Sequence, residues 1–370
     1  MKRIGLGVFA LALVSVGFAA RGPLPFVVHE WGTVTTRHLP NGAPDGRLNR
    51  IGRSEELPTF VHQFEPPATR VDPDKQTVKT PIGPGRPDVT MRLETPVLYF
   101  YPPAGSTPAP FDVTVRFRGG VLNEFYPAGK AWVELDRDHV DAKLGPTVPW
   151  DGTVLNNYVV GGLRWTGVSL KQTVPLPATQ SNVWLAPRRV KAWGVVAESG
   201  ESERYLFYRG VAHLDAVVRT ERSANDVRVL APSHVEWMRG PSATIDNMWF
   251  ADIRADGRAA FRRNKRIIIA KSALSAEPAR FTAFSASDYS TNGLAELRRS
   301  MKEGLVSAGL FDDEAEAMLE TWKESYFRTP GVRVFYLVPA EWIAYFLPLQ
   351  ISVPNELTRV LVGRIDLPDR

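Results

Sequence analysis

Most of the chain reads as short runs in which apolar and polar positions alternate, the period of a half-buried strand. In Phe26-Val27-Val28-His29-Glu30-Trp31-Gly32-Thr33, alternation places Phe26, Val28 and Glu30 on one face. Val27, His29, Trp31 and Thr33 fall on the other. Both faces are otherwise apolar, as in a strand covered on both sides. A carboxylate there costs several kcal/mol unless it is paired or hydrogen-bonded. Glu30 therefore requires a partner from elsewhere in the chain.

The same pattern predicts strands over 91–101, 111–118, 121–126, 163–170, 190–197, 204–211, 215–221 and 227–230. In 91–101, Arg92, Glu94, Leu98 and Phe100 share one parity, and Pro96 predicts a bulge or an edge because it removes a ladder donor. Gly119-Gly120 between two strands reads as a tight hairpin. Asp256-Gly257 reads as the turn between strands 248–254 and 258–262, and 266–270 adds another.

Helical periodicity comes late. Leu294, Leu297, Met301 and Leu305 form one stripe over 293–308, with Asn292 as cap and Gly309 as stop. Ala315, Met318, Leu319 and Trp322 form a second over 312–326, with Asp312 as cap and Asp313 and Glu314 suiting the helix dipole. Both stripes read as core. Strands return at 332–338, 349–353 and 357–365, and a short helix at 340–346 follows Pro339.

Thirty Pro and twenty-nine Gly in 370 residues imply many turns and short elements, which favours sheet over helix bundle. The expected class is α+β, predominantly β: sandwich-like antiparallel sheets with a late helical hairpin packed on a sheet. The expected parts are a leader at 1–19, a β-rich part at 20–215, and an α+β part at 216–370 with the hairpin at about 292–327.

Residues 1–19 have the form of a secretory signal peptide: basic Lys2 and Arg3, an apolar stretch, then Gly17-Phe18-Ala19 for cleavage. The apolar run is shorter than the roughly 20 residues that span a bilayer; an uncleaved anchor is the alternative. Export to the periplasm or outside the cell is expected. Losing Lys2 and Arg3 lowers the formal charge of +5 by two, too weak and dispersed a balance to argue for nucleic acid. With no cysteine there is no disulfide, thiol nucleophile or Cys-zinc site.

Four strand-like runs are interrupted by charge, at Glu30, Glu94, Glu124 and Arg209. If they share one sheet, the carboxylates converge around Arg209. Such a cluster can divide into catalytic acid and base, or can be a structural ion-pair network that fixes register. His29 with one or more carboxylates is a candidate site for a divalent metal. No zinc-protease, nucleophile-elbow, phosphate-loop or dinucleotide motif is present. His139, in an acidic stretch, reads as a solvated turn, with calcium binding the alternative. Arg262-Arg263-Asn264-Lys265-Arg266 reads as a solvated loop or edge protection, with an anionic polymer or membrane headgroup as the alternative. The leading functional expectation is a non-catalytic binding protein with an extracellular polymer or protein partner. The second is an exported hydrolase or metal-dependent enzyme.

Taken together, His29-Glu30-Trp31-Gly32-Thr33, Glu94-Thr95-Pro96-Val97-Leu98-Tyr99-Phe100-Tyr101, Phe207-Tyr208-Arg209-Gly210, Asp313-Glu314-Ala315-Glu316-Ala317-Met318 with Trp322, and Arg359-Val360-Leu361-Val362-Gly363-Arg364 resemble a family of exported bacterial proteins with an N-terminal His-Glu-Trp-Gly-Thr motif. The resemblance covers most of the chain after the leader. It implies export and one shared architecture, and carries over no catalytic residue. Phe125 departs from it, standing where the pattern has Trp.

Overall fold

The computed structural model describes residues 26–48, 57–64, 88–136, 155–156, 158–271 and 278–368. The expected leader and His139 lie outside the described residues. The strands are β1 (Val27–Arg37), β2 (His62–Gln63), β3 (Met91–Tyr101), β4 (Phe111–Arg118), β5 (Gly120–Tyr126), β6 (Lys130–Leu135), β7 (Val159–Lys171), β8 (Gly194–Val196) and β9 (Ser202–Glu203). They continue with β10 (Leu206–Ala212), β11 (Arg219–Arg222), β12 (Asp226–Leu230), β13 (Ser242–Ile253), β14 (Ala259–Ala270), β15 (Ala279–Thr282), β16 (Gly331–Leu337), β17 (Leu349–Ile351) and β18 (Glu356–Leu367). The helices are α1 (Asn182–Leu185), α2 (Gly293–Ser307), α3 (Asp312–Thr321) and α4 (Ala340–Phe346). The class is α+β and predominantly β, as the alternation predicts.

Among the described residues one sheet has fifteen strands: eleven run in the order β14-β13-β16-β18-β1-β3-β10-β5-β7-β4-β17, with β2 beside β5, β6 and β8 beside β7, and β9 beside β8; β11, β12 and β15 form a second, small antiparallel sheet. The large sheet is mixed, because β18 pairs parallel with β1 along its whole length. Both sequence parts thus contribute to one sheet, with the C-terminal strand beside the N-terminal one.

The expected hairpin at Gly119-Gly120 does not form. β4 pairs with β7 and β17, while β5 pairs with β10, and β7 lies between them. The glycines serve a close crossing instead. A Cβ on Gly119, whose φ is +77°, would lie 2.4 Å from Leu214, and one on Gly120 would lie 2.7 Å from the Val211 carbonyl. The expected strand at 190–197 shortens to β8, and a 3-10 turn at 187–189 precedes it.

The two faces of the sheet carry different cores. One buries Val28, Leu98, Phe100, Leu206 and Tyr208. The other buries Trp31, Val97, Tyr99, Phe207 and Phe335 beneath Leu297, Met301, Leu305, Met318 and Leu319 of α2 and α3. The two helical stripes are core, as expected. Helix α3 starts one residue from the expected cap: Phe311 is its N-cap, and its backbone N–H donates to Glu314 at 2.8 Å. After Thr321 the chain turns into a π-helical segment, Glu324–Arg328. Arg333 holds that segment, donating to the carbonyls of Ser325 and Tyr326 and, at 2.6 Å, to that of Thr329. Among the described residues no helix is long and apolar enough to cross a membrane.

Candidate functional site: an arginine-lined pocket

Glu30 is fully buried and has its partner, but not among the residues expected. Arg359, its neighbour across the β1–β18 pair, donates Nε to Oε2 at 2.5 Å, and the Tyr208 hydroxyl donates to Oε1 at 2.5 Å. Arg359 also donates to the Leu347 carbonyl at 2.5 Å. Burial first, then the charge of Glu30, raises the Tyr208 hydroxyl well above its ordinary pKa, so it stays protonated and donates. Glu30 therefore does not join Glu94, Glu124 and Arg209; it belongs to a sealed network on the opposite face of the sheet.

His29 points to the helix-covered face. Its Nδ1 lies 2.7 Å from Glu314 Oε2, and the Tyr101 hydroxyl donates to Glu314 Oε1 at 2.7 Å. Glu314 is fully buried. The arrangement ties β1 and β3 to the first turn of α3. Among the described residues no group of three or more His, Asp or Glu side chains gathers closely enough to hold a metal ion.

The other three expected residues meet at one cavity, and two β-bulges put them there. Uninterrupted alternation would place Glu94 with Leu98 and Phe100, on the Glu30 face. The register of β3 shifts between Leu93 and Val97 against both of its neighbours. Thr95 in this bulge adopts φ +49°, a left-handed conformation that is an outlier for a β-branched residue. At the bulge β1 carries Gly32, where a Cβ would lie 2.8 Å from Pro96. In β5 a second bulge at Asn123 separates Leu122 from Glu124, since Arg209 opposes Glu124 while Gly210 opposes Leu122. Bulges re-aim side chains and are over-represented next to active sites. Here they bring Glu94 and Glu124 to the face that carries Arg209.

The cavity has a volume of about 390 Å³ and lies on this face beside the C-terminal end of α3, whose Thr321 lines it. Its charged wall crosses six strands, from β16 through β18, β1, β3 and β10 to β5. Arg333 opposes Asp366, which opposes Arg37. One step along, Arg364 opposes Thr35, which opposes Arg92. Glu94 opposes Thr33 and accepts from the Thr35 hydroxyl at 2.7 Å. Arg209 donates Nε and Nη2 to Thr95 Oγ1 at 3.2 and 3.1 Å. Five arginines thus face three carboxylates.

Two of these arginines are held inside the cavity wall. Arg37 donates to Asp45 at 2.6 Å and Arg364 to Asp366 at 3.1 Å. Asp45 has its pKa lowered to about 2, because hydrogen bonds from Arg47 and Arg37 outweigh the opposing effect of burial. Burial lowers Arg333 to about 10, against the pull of Asp366; it remains charged at neutral pH. Nε and Nη1 of Arg364, Nε of Arg333 and Nε1 of Trp322 are buried donors with no acceptor in the protein. A buried donor left without an acceptor costs about 1–3 kcal/mol, and more when it is charged. These four donors belong to three residues that line the one cavity.

Other singled-out residues lie apart. The run 262–266 falls inside β14, an edge of the large sheet, with Lys265 and Arg266 exposed. Arg262 and Arg263 are engaged, with the Thr282 carbonyl and with Asn247. His213 Nδ1 donates to the Asp88 carbonyl at 2.7 Å, and His234 meets Asp215 at 2.8 Å.

The sequence reading missed Arg359, Glu314, Arg333 and Arg364. Two of them carry the signal that singled out Glu30, a charge inside an apolar run: Val332-Arg333-Val334-Phe335 and Val362-Gly363-Arg364-Ile365. Nothing local marks Arg359 or Glu314 as partners, because their contacts span 329 and 285 residues of sequence. The chain matches no protein-family model and no curated protein sequence, so the chemistry of the pocket is read from its own residues.

Proposed function

We propose that the protein is an exported binding protein, periplasmic or secreted, whose arginine-lined pocket takes a small anionic ligand. The observation that carries this reading is the group of buried donors without acceptors on Arg364, Arg333 and Trp322, around a cavity of about 390 Å³. An oxyanion supplies the missing acceptors, and guanidinium groups bind carboxylate and phosphate oxygens in charge-assisted bonds. The volume lies in the range of roughly 300–1,000 Å³ that holds small-molecule ligands. Export rests on the leader-like residues 1–19 and on the family resemblance.

Calorimetric titration of residues 20–370 with small carboxylates and inorganic phosphate tests the reading. Saturable binding that weakens at least tenfold in Arg364→Gln supports it. Absence of binding, or binding indifferent to Arg364, sinks it. Amino-terminal sequencing of the exported protein tests export, with Ala20 as the expected first residue.

A second reading has its own support. The two bulges set Glu94 and Glu124 on either side of Arg209 at the cavity wall, which is the arrangement of a hydrolase whose carboxylates act on a substrate held by arginine. Glu30 takes no part in it. Hydrolysis of ester or glycoside probes that disappears in both Glu94→Gln and Glu124→Gln, with binding retained, would establish this reading over simple binding.

A further inference from the structure

We propose that the protein has a second ligand site, which takes a zwitterionic α-amino acid with an apolar side chain. The site shares no lining residue with the arginine-lined pocket.

Two cavities of about 290 Å³ each adjoin, with Pro44 and Asp215 lining both. The first is walled by the turn that follows β1 and by the residues that lead into β11. Backbone N–H groups close that turn, from Leu39 to the Ala43 carbonyl and from Gly42 to the Leu39 carbonyl. Gly42 adopts φ +81°, and a Cβ there would lie 2.8 Å from Arg219 Cγ. Glycine thus lets the turn close over the arginine stem.

His38, Arg219 and Asp215 line this first cavity. His38 is 4% exposed, and its Nδ1 accepts from the Thr220 backbone N–H. Burial keeps the ring neutral at neutral pH, so its proton sits on Nε2. Among the described residues Nε2 has no acceptor, and it is not sealed from solvent. It is a donor that opens on the cavity. Arg219 donates Nη2 to Glu221 at 2.8 Å, and its other guanidinium nitrogens have no acceptor among the described residues. Asp215 meets His234 through Oδ2, which leaves Oδ1 open. Asp215 and Arg219 act on the His38 ring in opposite senses, so both charges lie within electrostatic reach of one imidazole. They are not bonded to each other; each is held by a partner on its far side.

A simple anion in this cavity would face Asp215, and a simple cation would face Arg219. A ligand with both charges satisfies both. Its carboxylate accepts from Arg219 and His38 Nε2, and its ammonium donates to Asp215 Oδ1. The second cavity continues from Asp215 over buried Leu214, Trp237, Trp342 and Phe346, while His213 and Glu236 are exposed. An apolar side chain projecting past the ammonium enters this cavity and leaves water for its apolar floor.

The test titrates residues 20–370 by calorimetry at neutral pH with L-leucine, N-acetyl-L-leucine, L-leucinamide and glycine. These remove in turn the ammonium, the carboxylate and the side chain. The expected result is leucine binding at least tenfold tighter than each of the other three. Asp215→Asn removes the preference over N-acetyl-leucine, and Arg219→Gln removes that over leucinamide. Both side chains are partly exposed, and circular dichroism checks that the variants fold. Any of the other three probes matching leucine overturns the inference, as does no binding by any of the four. Leucine binding that is lost in Arg364→Gln but kept in Asp215→Asn and Arg219→Gln places the amino acid in the arginine-lined pocket and overturns it too. Where a variant fails to fold, the comparison of the four probes on the wild type decides.

Discussion

Arg209 and Thr95 are joined by two hydrogen bonds, from Nε and Nη2 to one hydroxyl, at the residue where β3 bulges and turns left-handed. The bond explains why a threonine occupies a backbone conformation that suits glycine. The strained bulge moves Glu94 to the pocket face, and its hydroxyl fixes the guanidinium beside it. Strain of this kind persists where the surroundings over-determine it, and it clusters at functional sites.

Thr95→Gly separates the two contributions. Relief of the left-handed conformation returns about 1–2 kcal/mol. Loss of hydrogen bonds to a charged group costs about 1.5–3 kcal/mol. Stability in urea should therefore fall by no more than about 2 kcal/mol, while anion affinity falls at least tenfold because Arg209 loses its anchor. A variant that binds as wild type would show that Arg209 is positioned by something else.

Glu30 and Arg359 should behave as a structural pair. Either Glu30→Gln or Arg359→Met leaves a buried charge without its counterpart, at a cost of about 3–5 kcal/mol. The double variant Glu30→Met with Arg359→Met should recover most of that loss, since apolar replacement of a buried pair is often neutral. Their network lies on the sheet face opposite the pocket, so folded variants should bind anions normally. Chemical denaturation of the four proteins, with titration of each, checks both statements.

What was legible in the sequence was set by local periodicity. The alternation around Glu30, the stripe Leu297-Met301-Leu305 and the turn at Asp256-Gly257 all depend on a few consecutive residues, and all appear in the fold. The need of Glu30 for a partner was legible too, because burial of charge is a local inference. The identity of that partner was not, since parallel pairing of β1 with β18 is decided by the whole sheet. The bulges at Thr95 and Asn123 lay in between. Pro96 announced the first, but its effect on parity, moving Glu94 across the sheet, depends on how β1 and β10 register against it. Nothing near Asn123 announced the second. The hairpin expected at Gly119-Gly120 failed for a related reason: glycine pairs serve close crossings as well as tight turns.

His38 should give the protein a stability that depends on pH. It is 4% exposed, and the Thr220 backbone N–H donates to its Nδ1 at 3.4 Å, which suits a neutral ring. Burial lowers its pKa from 6.5 to about 4, with nearby Asp215 opposing and Arg219 assisting. The folded state thus binds this proton less readily than the unfolded state. The contribution is fully present above pH 6.5 and is lost as pH falls toward about 4. A shift of this size corresponds to about 3 kcal/mol. Unfolding measured between pH 7 and pH 4 should show a slope that His38→Gln flattens. An unchanged slope would place the titration in other groups.

Glu314 should control the helical hairpin and, through it, one wall of the pocket. Its fully buried carboxylate accepts from Tyr101 and from the Phe311 backbone and meets His29, so three separate segments converge on two oxygens. Glu314→Ala removes all three contacts and the negative charge that suits the start of α3, at a cost of about 3–5 kcal/mol. Hydrogen exchange should show the loss concentrated in α3, with β1 and β3 protected by their ladders. The π-helical segment that follows α3 supplies Ser325 to the cavity, and Trp322 lies just before it. Anion affinity should therefore fall along with α3 protection, although Glu314 does not line the cavity. Unchanged exchange in α3 would mean that packing of Met318 and Leu319 suffices to hold the hairpin, and that the contact with His29 is incidental.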